Sequence, residues 1–269
     1  GGTAINLFYR DLPRLSVDID LTYLPVKDRV ESLADINAAL DRIAESIESN
    51  ISRTRAHRIQ GGGGGETRIL VRQGATEIKV ETSPVTRGAV NLPRLMRIME
   101  AAEDRFGFVE MSVFAFEHLF AGKIHAALDR QHPRDLFDIK LLYENEGLTD
   151  ALFRTFLVYV ASSPRPLHEL LRPTRAPLDE RYTKEFEGMT KTAVSLEDLS
   201  TARERLIADI GTRLYGNVQR FLLSLHDAAP DFAAIKLPNA GALPAVRWKV
   251  QNLAKLKQDN PDKHKEQRM

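Results

Sequence analysis

The hydrophobic pattern of this chain changes period once. Up to about residue 92, short alternating runs are interleaved with one helical stretch, and from Pro93 onward apolar positions recur every three or four residues. In Val17-Asp18-Ile19-Asp20-Leu21, alternate residues share a strand face. Val17, Ile19 and Leu21 are therefore expected in a core, with Asp18 and Asp20 together on the open side. Asp28 is placed to cap a helix reaching about Ser49, in which Val30, Leu33, Leu40, Ile43 and Ile47 fall near helical spacing. Strands are predicted over Ser52–Ile59, Arg68–Arg72 and Thr76–Thr82, with Ile78 and Val80 on one face of the last and Lys79 and Glu81 on the other. Gly61–Gly65 reads as a hairpin tip, because the Lys-Ser/Thr that completes a phosphate-cradling loop is replaced by Glu66-Thr67.

Further on, helices are predicted over Leu95–Glu103, Phe114–Arg130, Arg134–Glu144, Ala151–Ala161 and a long Ser195–Leu225 segment. Ser195-Leu-Glu-Asp198 forms a capping box at the start of the last. Pro164, Pro166, Pro173 and Pro177 mark a loop-rich connection, and no internal repeat is visible. The expectation is an α+β fold: a small α/β module with a mixed sheet over residues 1–92, followed by a larger helical region over 93–269.

Composition narrows the class. With 269 residues, 43% of them hydrophobic, the chain can fill a real core, and no run approaches a membrane span. The absence of cysteine excludes disulfides, thiolate zinc sites and a thiol nucleophile, and fits a cytoplasmic location. Net charge is only +1, but Arg247 to Met269 carries seven Lys or Arg against three Asp or Glu, together with the only tryptophan, Trp248. Such a tail reads either as a solvated terminal helix or as a nucleic-acid contact, in which Arg247, Lys249, Lys255 and Lys257 meet phosphates.

The chemistry centres on Asp18 and Asp20. Strand geometry spaces them roughly 6.5–7 Å apart along the backbone. Two anions held on one face call for a cation between them, and paired carboxylates suit magnesium ions that bridge phosphates. Glu81 is the candidate third carboxylate, able to orient or deprotonate an attacking hydroxyl; the competing reading is an ion pair with Lys79. His118, His125 and His132 are spaced by seven without an HExxH pattern, so a surface role is favoured over zinc. Ser16 lacks the neighbours of a hydrolytic nucleophile.

Gly1-Gly2-Thr3-Ala4, then Arg14-Leu-Ser16-Val-Asp18-Ile-Asp20-Leu, resembles the signature of polymerase-β-like nucleotidyltransferases and, in detail, the AbiEii/AbiGii toxin branch that includes the MenT toxins. Lys123-Ile-His-Ala-Ala-Leu and Pro133-Arg134-Asp135-Leu-Phe-Asp138-Ile are similar to that branch's lysine and Arg-Asp-x-x-Asp motifs. Phe221-Leu-Leu-Ser-Leu and Leu243-Pro-Ala-Val-Arg-Trp-Lys-Val-Gln-Asn252 extend the likeness over nearly the whole chain.

The resemblance implies that Gly1, Gly2 and Ser16 hold a nucleotide triphosphate and that Asp18 and Asp20 ligate magnesium. It implies further that Lys123 meets the phosphates and Asp138 completes the site from the helical region. Taken alone, Lys123 reads as a solvated helix residue, and Asp135 or Asp138 as a helix-start charge or a partner of Arg134. In this family a hydrophobic segment precedes the Gly-Gly pair, so a segment upstream of Gly1 is expected. The implied activity is transfer of NMP to RNA, most plausibly a tRNA 3′ end, with a cognate antitoxin as partner. The rival readings are transfer to a small molecule or a protein, and a nucleotide-binding module without catalysis.

Overall fold

The computed structural model describes residues 1–60 and 67–268. Helix α1 (Gly2–Ala4) runs on as a π-helical turn, Ile5–Tyr9. Strand β1 (Ile19–Leu21), helix α2 (Arg29–Asn50) and strands β2 (Arg55–Ile59), β3 (Arg68–Gln73) and β4 (Thr76–Thr82) follow. Asp28 caps α2, its carboxylate accepting the Glu31 N–H at 3.0 Å. Ile36, Leu40 and Ala44, four residues apart, form the buried stripe of α2 and pack on Ala56, Ile69 and Val80 of the sheet. The sheet order is β1-β4-β3-β2. Strand β1 is parallel to β4 and the other pairs are antiparallel, which makes the sheet mixed, as expected. The hairpin tip expected at Gly61–Gly65 lies outside the described residues.

Two predicted helices differ. Leu95–Glu103 divides into strand β5 (Arg94–Arg97), which pairs antiparallel with β6 (Glu110–Val113), and helix α3 (Glu100–Phe106). Leu95, Met96, Ile98 and Met99 satisfy either period, and the partner strand decides between them. The long Ser195–Leu225 segment is likewise two helices, α9 (Leu196–Gly211) and α10 (Asn217–His226). Gly216 breaks it with a φ of 58°, a left-handed conformation that glycine adopts without strain. The Ser195–Asp198 capping box is present.

The remaining helices are α4 (Phe116–Asp129), α5 (Pro133–Asn145), α6 (Asp150–Ser162), α7 (Leu167–Leu171), α8 (Asp179–Glu185), α11 (Pro244–Asp259) and α12 (Pro261–Glu266). They enclose a large core that includes Phe120, Ile124, Phe156 and Phe221. Ile5 is buried in that same core, while Phe8, on the same π-helical turn, packs with Ile98, Ala102 and Val113 of the β5–β6 hairpin and α3. The segment after Gly1-Gly2 is thus gripped from two sides.

The expected burial of Val17 and Ile19 is not found: they are 56% and 38% exposed. Strand β1 is short and lies at the sheet edge, with β4 as its only neighbour in the sheet among the described residues. Beside it lies an apolar cavity of about 510 Å³, lined among others by Ile19, Leu21, Leu40, Phe8 and Val113.

Candidate active site

The glycines set the floor of the site. A Cβ at Gly1 would overlap the Asp20 carboxylate, and one at Gly2 would stand 2.5 Å from Arg14 Nη2 and 2.9 Å from Ser16 Oγ. The absence of side chains therefore lets the start of α1 touch the aspartate strand directly. Polar contacts tie the two together: Thr3 Oγ1 donates to the Asp18 carbonyl at 2.5 Å and lies 3.2 Å from Ser16 Oγ. Asn6 adds a brace, donating to the Gly2 carbonyl at 2.7 Å and accepting the Arg14 N–H at 3.3 Å.

Asp18 and Asp20 are exposed, and Asp18 Oδ1 accepts the Lys79 N–H at 3.2 Å. Glu81 is in register with Asp20 across the parallel β1–β4 pair. Its carboxylate is bound by Arg68, its cross-strand neighbour, at 2.6 Å, so the ion-pair partner is Arg68 and not Lys79. Among the described residues, only His226, Asp227 and His264 bring three ligand atoms within 4.8 Å of one another; Asp18, Asp20 and Glu81 do not form such a closed set. The exposed aspartates still fit a hard divalent ion, which commonly takes one or two protein carboxylates and completes its shell with water and substrate phosphates.

Across from the strand, α4 and α5 present a buried charge network. Arg14 donates from Nε and Nη2 to both oxygens of Asp138, at 2.8 and 2.7 Å, and from Nη1 to the Leu15 carbonyl at 2.9 Å. Lys123 Nζ lies 2.7 Å from Asp135 Oδ1 and 2.9 Å from Asp138 Oδ2, and Arg130 Nε reaches Asp135 Oδ2 at 2.5 Å. Burial alone would lower the Lys123 ammonium, but Asp138 and Asp135 outweigh it and hold its pKa above the usual value. Burial would likewise raise Asp135, yet Lys123 and Arg130 bring it down to about 2.

Lys123 is thus not a solvated helix residue: its side chain is 8% exposed and bridges two carboxylates. Arg134 is exposed and pairs with neither Asp135 nor Asp138. Neither Arg14 nor Arg130 carries a role predictable from spacing, although Arg14 stands two residues before Ser16 within the Arg14–Leu21 motif. Helix α4 ends at Asp129, so His132 leaves its face and instead caps α5, its Nδ1 accepting the Arg134 N–H at 3.1 Å. His118 is buried and His125 half-buried, and both pack near Tyr159. Burial lowers both, His118 to about 4.

The description of the nucleotidyl transferase AbiEii toxins of type IV toxin–antitoxin systems matches residues 1–252. The chain belongs to the AbiEii nucleotidyltransferase toxin family. Its fold is similar to that of MenT4, a nucleotidyltransferase toxin from Mycobacterium tuberculosis H37Rv, at a TM-score of 0.61 and 18% identity, over 95% of this chain and 83% of that one. No curated protein sequence matches it. This AbiEii chain is accordingly a toxin-class nucleotidyltransferase with an NTP as substrate and an antitoxin as counterpart. No helix among its described residues is long and apolar enough to cross a membrane.

Proposed function

We propose that this AbiEii protein transfers NMP from an NTP to a hydroxyl of RNA, with tRNA 3′ ends as the acceptors and magnesium as the metal, so that translation stops. The observation that carries this reading is the meeting of two sets of residues distant in sequence. The exposed Asp18 and Asp20 stand beside Gly1-Gly2, and Arg14, two residues before Ser16, is clamped by Asp138 of α5.

In this reading Asp18 and Asp20 hold the metal, Gly1, Gly2 and Ser16 line the triphosphate, and Lys123 and Asp138 keep the opposite wall in place. Magnesium, when bound, supplies positive charge to the phosphates. The acceptor oxygen bonds to the α-phosphorus as the bond to the β-phosphate bridge breaks and pyrophosphate leaves. The proton of the acceptor hydroxyl passes to Glu81, the carboxylate in register with Asp20. Helix α11 offers exposed Arg247, Trp248 and Lys255 to an RNA acceptor. Lys249, grouped with them on sequence, is withdrawn: it is buried, donates to the Arg165 carbonyl at 2.5 Å and is lowered by burial to about 8.

Incubation with each labelled NTP and magnesium, with and without total tRNA, tests this. Label is expected in RNA and only when tRNA is present. Label in protein or small molecules alone supports transfer to those acceptors, and NTP binding without any transfer supports a non-catalytic module.

A further inference from the structure

The cations facing the aspartate strand are not equivalent. Arg14 and Lys123 have side chains 3% and 8% exposed, and their charges are matched by Asp138 and Asp135, which are 0% and 1% exposed. Arg14 cannot turn toward a ligand without stripping the buried Asp138 of its bidentate partner, and Lys123 bridges Asp135 and Asp138 from within the wall. Arg130 is the surplus charge. Its side chain is 60% exposed, Asp135 holds it through Nε and Nη2, and no partner is found for Nη1 among the described residues.

Its position is fixed as well. The Arg130 carbonyl accepts Arg181 Nη1 at 2.9 Å. The next residue, Gln131, sits at φ 47° and is held by Thr174, Ala176 and Arg203 through its side-chain amide. Arg130 belongs to the network behind the aspartate strand, because the Asp135 it holds also binds Lys123, and Lys123 shares Asp138 with Arg14, the residue against Gly2 and next to Leu15-Ser16. A cation so held, with one edge clamped by Asp135 and the other open, matches a polyphosphate in charge and in fork geometry.

We propose that Arg130 is the residue that grips the β- and γ-phosphates of the nucleotide, and that Lys123 is a positioning residue that fixes Asp135 and Asp138 behind it. This assignment rests on the nucleotidyl-transfer reading above. It makes the turn between α4 and α5, rather than the buried lysine, the recognition element for the substrate's charge.

Inorganic tripolyphosphate, which carries the phosphates without a base, serves as the probe, with magnesium held constant. Its binding to wild type, Arg130→Lys, Arg130→Gln and Arg130→Ala is measured by calorimetry alongside each variant's melting temperature and its KM and kcat with NTP. Arg130→Ala and Arg130→Gln are expected to weaken tripolyphosphate binding and raise KM for NTP about ten- to a hundred-fold, the range of one charge-assisted contact. Arg130→Lys should recover part of both. Wild-type tripolyphosphate affinity in Arg130→Ala, or no binding to wild type, overturns the inference even if transfer proceeds. Arg130-dependent binding in a protein that modifies no RNA upholds it while the acceptor reading fails.

Discussion

Arg14 and Asp138, 124 positions apart, form a bidentate ion pair at 2.8 and 2.7 Å in which neither side chain exceeds 3% exposure. The pair joins the segment leading into the aspartate strand to helix α5. Removing Asp138 leaves the buried Arg14 charge uncompensated, at about 3–5 kcal/mol, removing Arg14 leaves Asp138 with Lys123 alone, and removing both partners costs less. Arg14→Met and Asp138→Leu alone are therefore expected to lower stability in urea more than the double substitution does. Additive losses would show that the pair is not coupled.

Asp20 is expected to behave in the opposite way. Its side chain is 49% exposed, so Asp20→Ala should leave the melting temperature nearly unchanged while reducing transfer by at least about a hundred-fold, the scale of losing one preorganised electrostatic group. Activity near wild type in Asp20→Ala would falsify the metal assignment. Glu81→Gln separates the two roles open to that residue. The exposed Arg68 pair is worth at most about 1 kcal/mol, so a large loss of kcat with unchanged stability identifies chemistry rather than structure.

Gly2→Ala tests the contact between α1 and the aspartate strand. The new methyl would stand 2.5 Å from Arg14 Nη2, and Arg14 is locked to Asp138 and cannot move aside freely. A stability loss of about 1–3 kcal/mol, typical of overpacking, is expected together with weakened NTP binding. Differential scanning calorimetry and NTP titration read the two effects separately, and an unperturbed variant would show that α1 can shift away.

Among the groups that set stability in acid, His118 and Asp135 act in different windows. His118 is buried with Nδ1 unpartnered, and burial lowers its pKa from 6.5 to about 4. The unfolded chain then binds more protons between those values, so His118's contribution of about 3 kcal/mol is intact above pH 6.5 and lost as pH falls toward 4. Asp135 acts lower: its stabilisation is present above about pH 4 and disappears as pH falls through about 2. His118→Phe should flatten the decline in unfolding free energy between pH 7 and 5, where His125 contributes in the same direction. An unchanged slope would assign the decline to other groups.

Legibility in the sequence followed the range of the forces involved. The Asp28 cap, the Ser195 capping box, the period of α2 and the pairing of β3 with β4 are local, and each was readable from a few neighbouring side chains. Leu95–Glu103 is not legible in this way, because its apolar spacing fits two periods and β6 chooses between them. Within the site, the aspartates, the glycine pair, Lys123 and Asp138 were named from motifs. The openness of Arg130 was not, since exposure depends on what else is packed nearby.

By itself the sequence determined the α+β class, the family and the chemical types at the site, because residue identity and short-range spacing carry charge, hydrogen-bonding capacity and periodicity. Only the tertiary structure decided how those charges divide. Lys123 and Arg14 are matched by Asp135 and Asp138 in the interior, and Arg130, held by Asp135 along one edge, is left exposed. The physical reason is that desolvation forces buried charges to pair, and which charges are buried is settled by the packing of α4 and α5 against the segment that follows Gly1-Gly2.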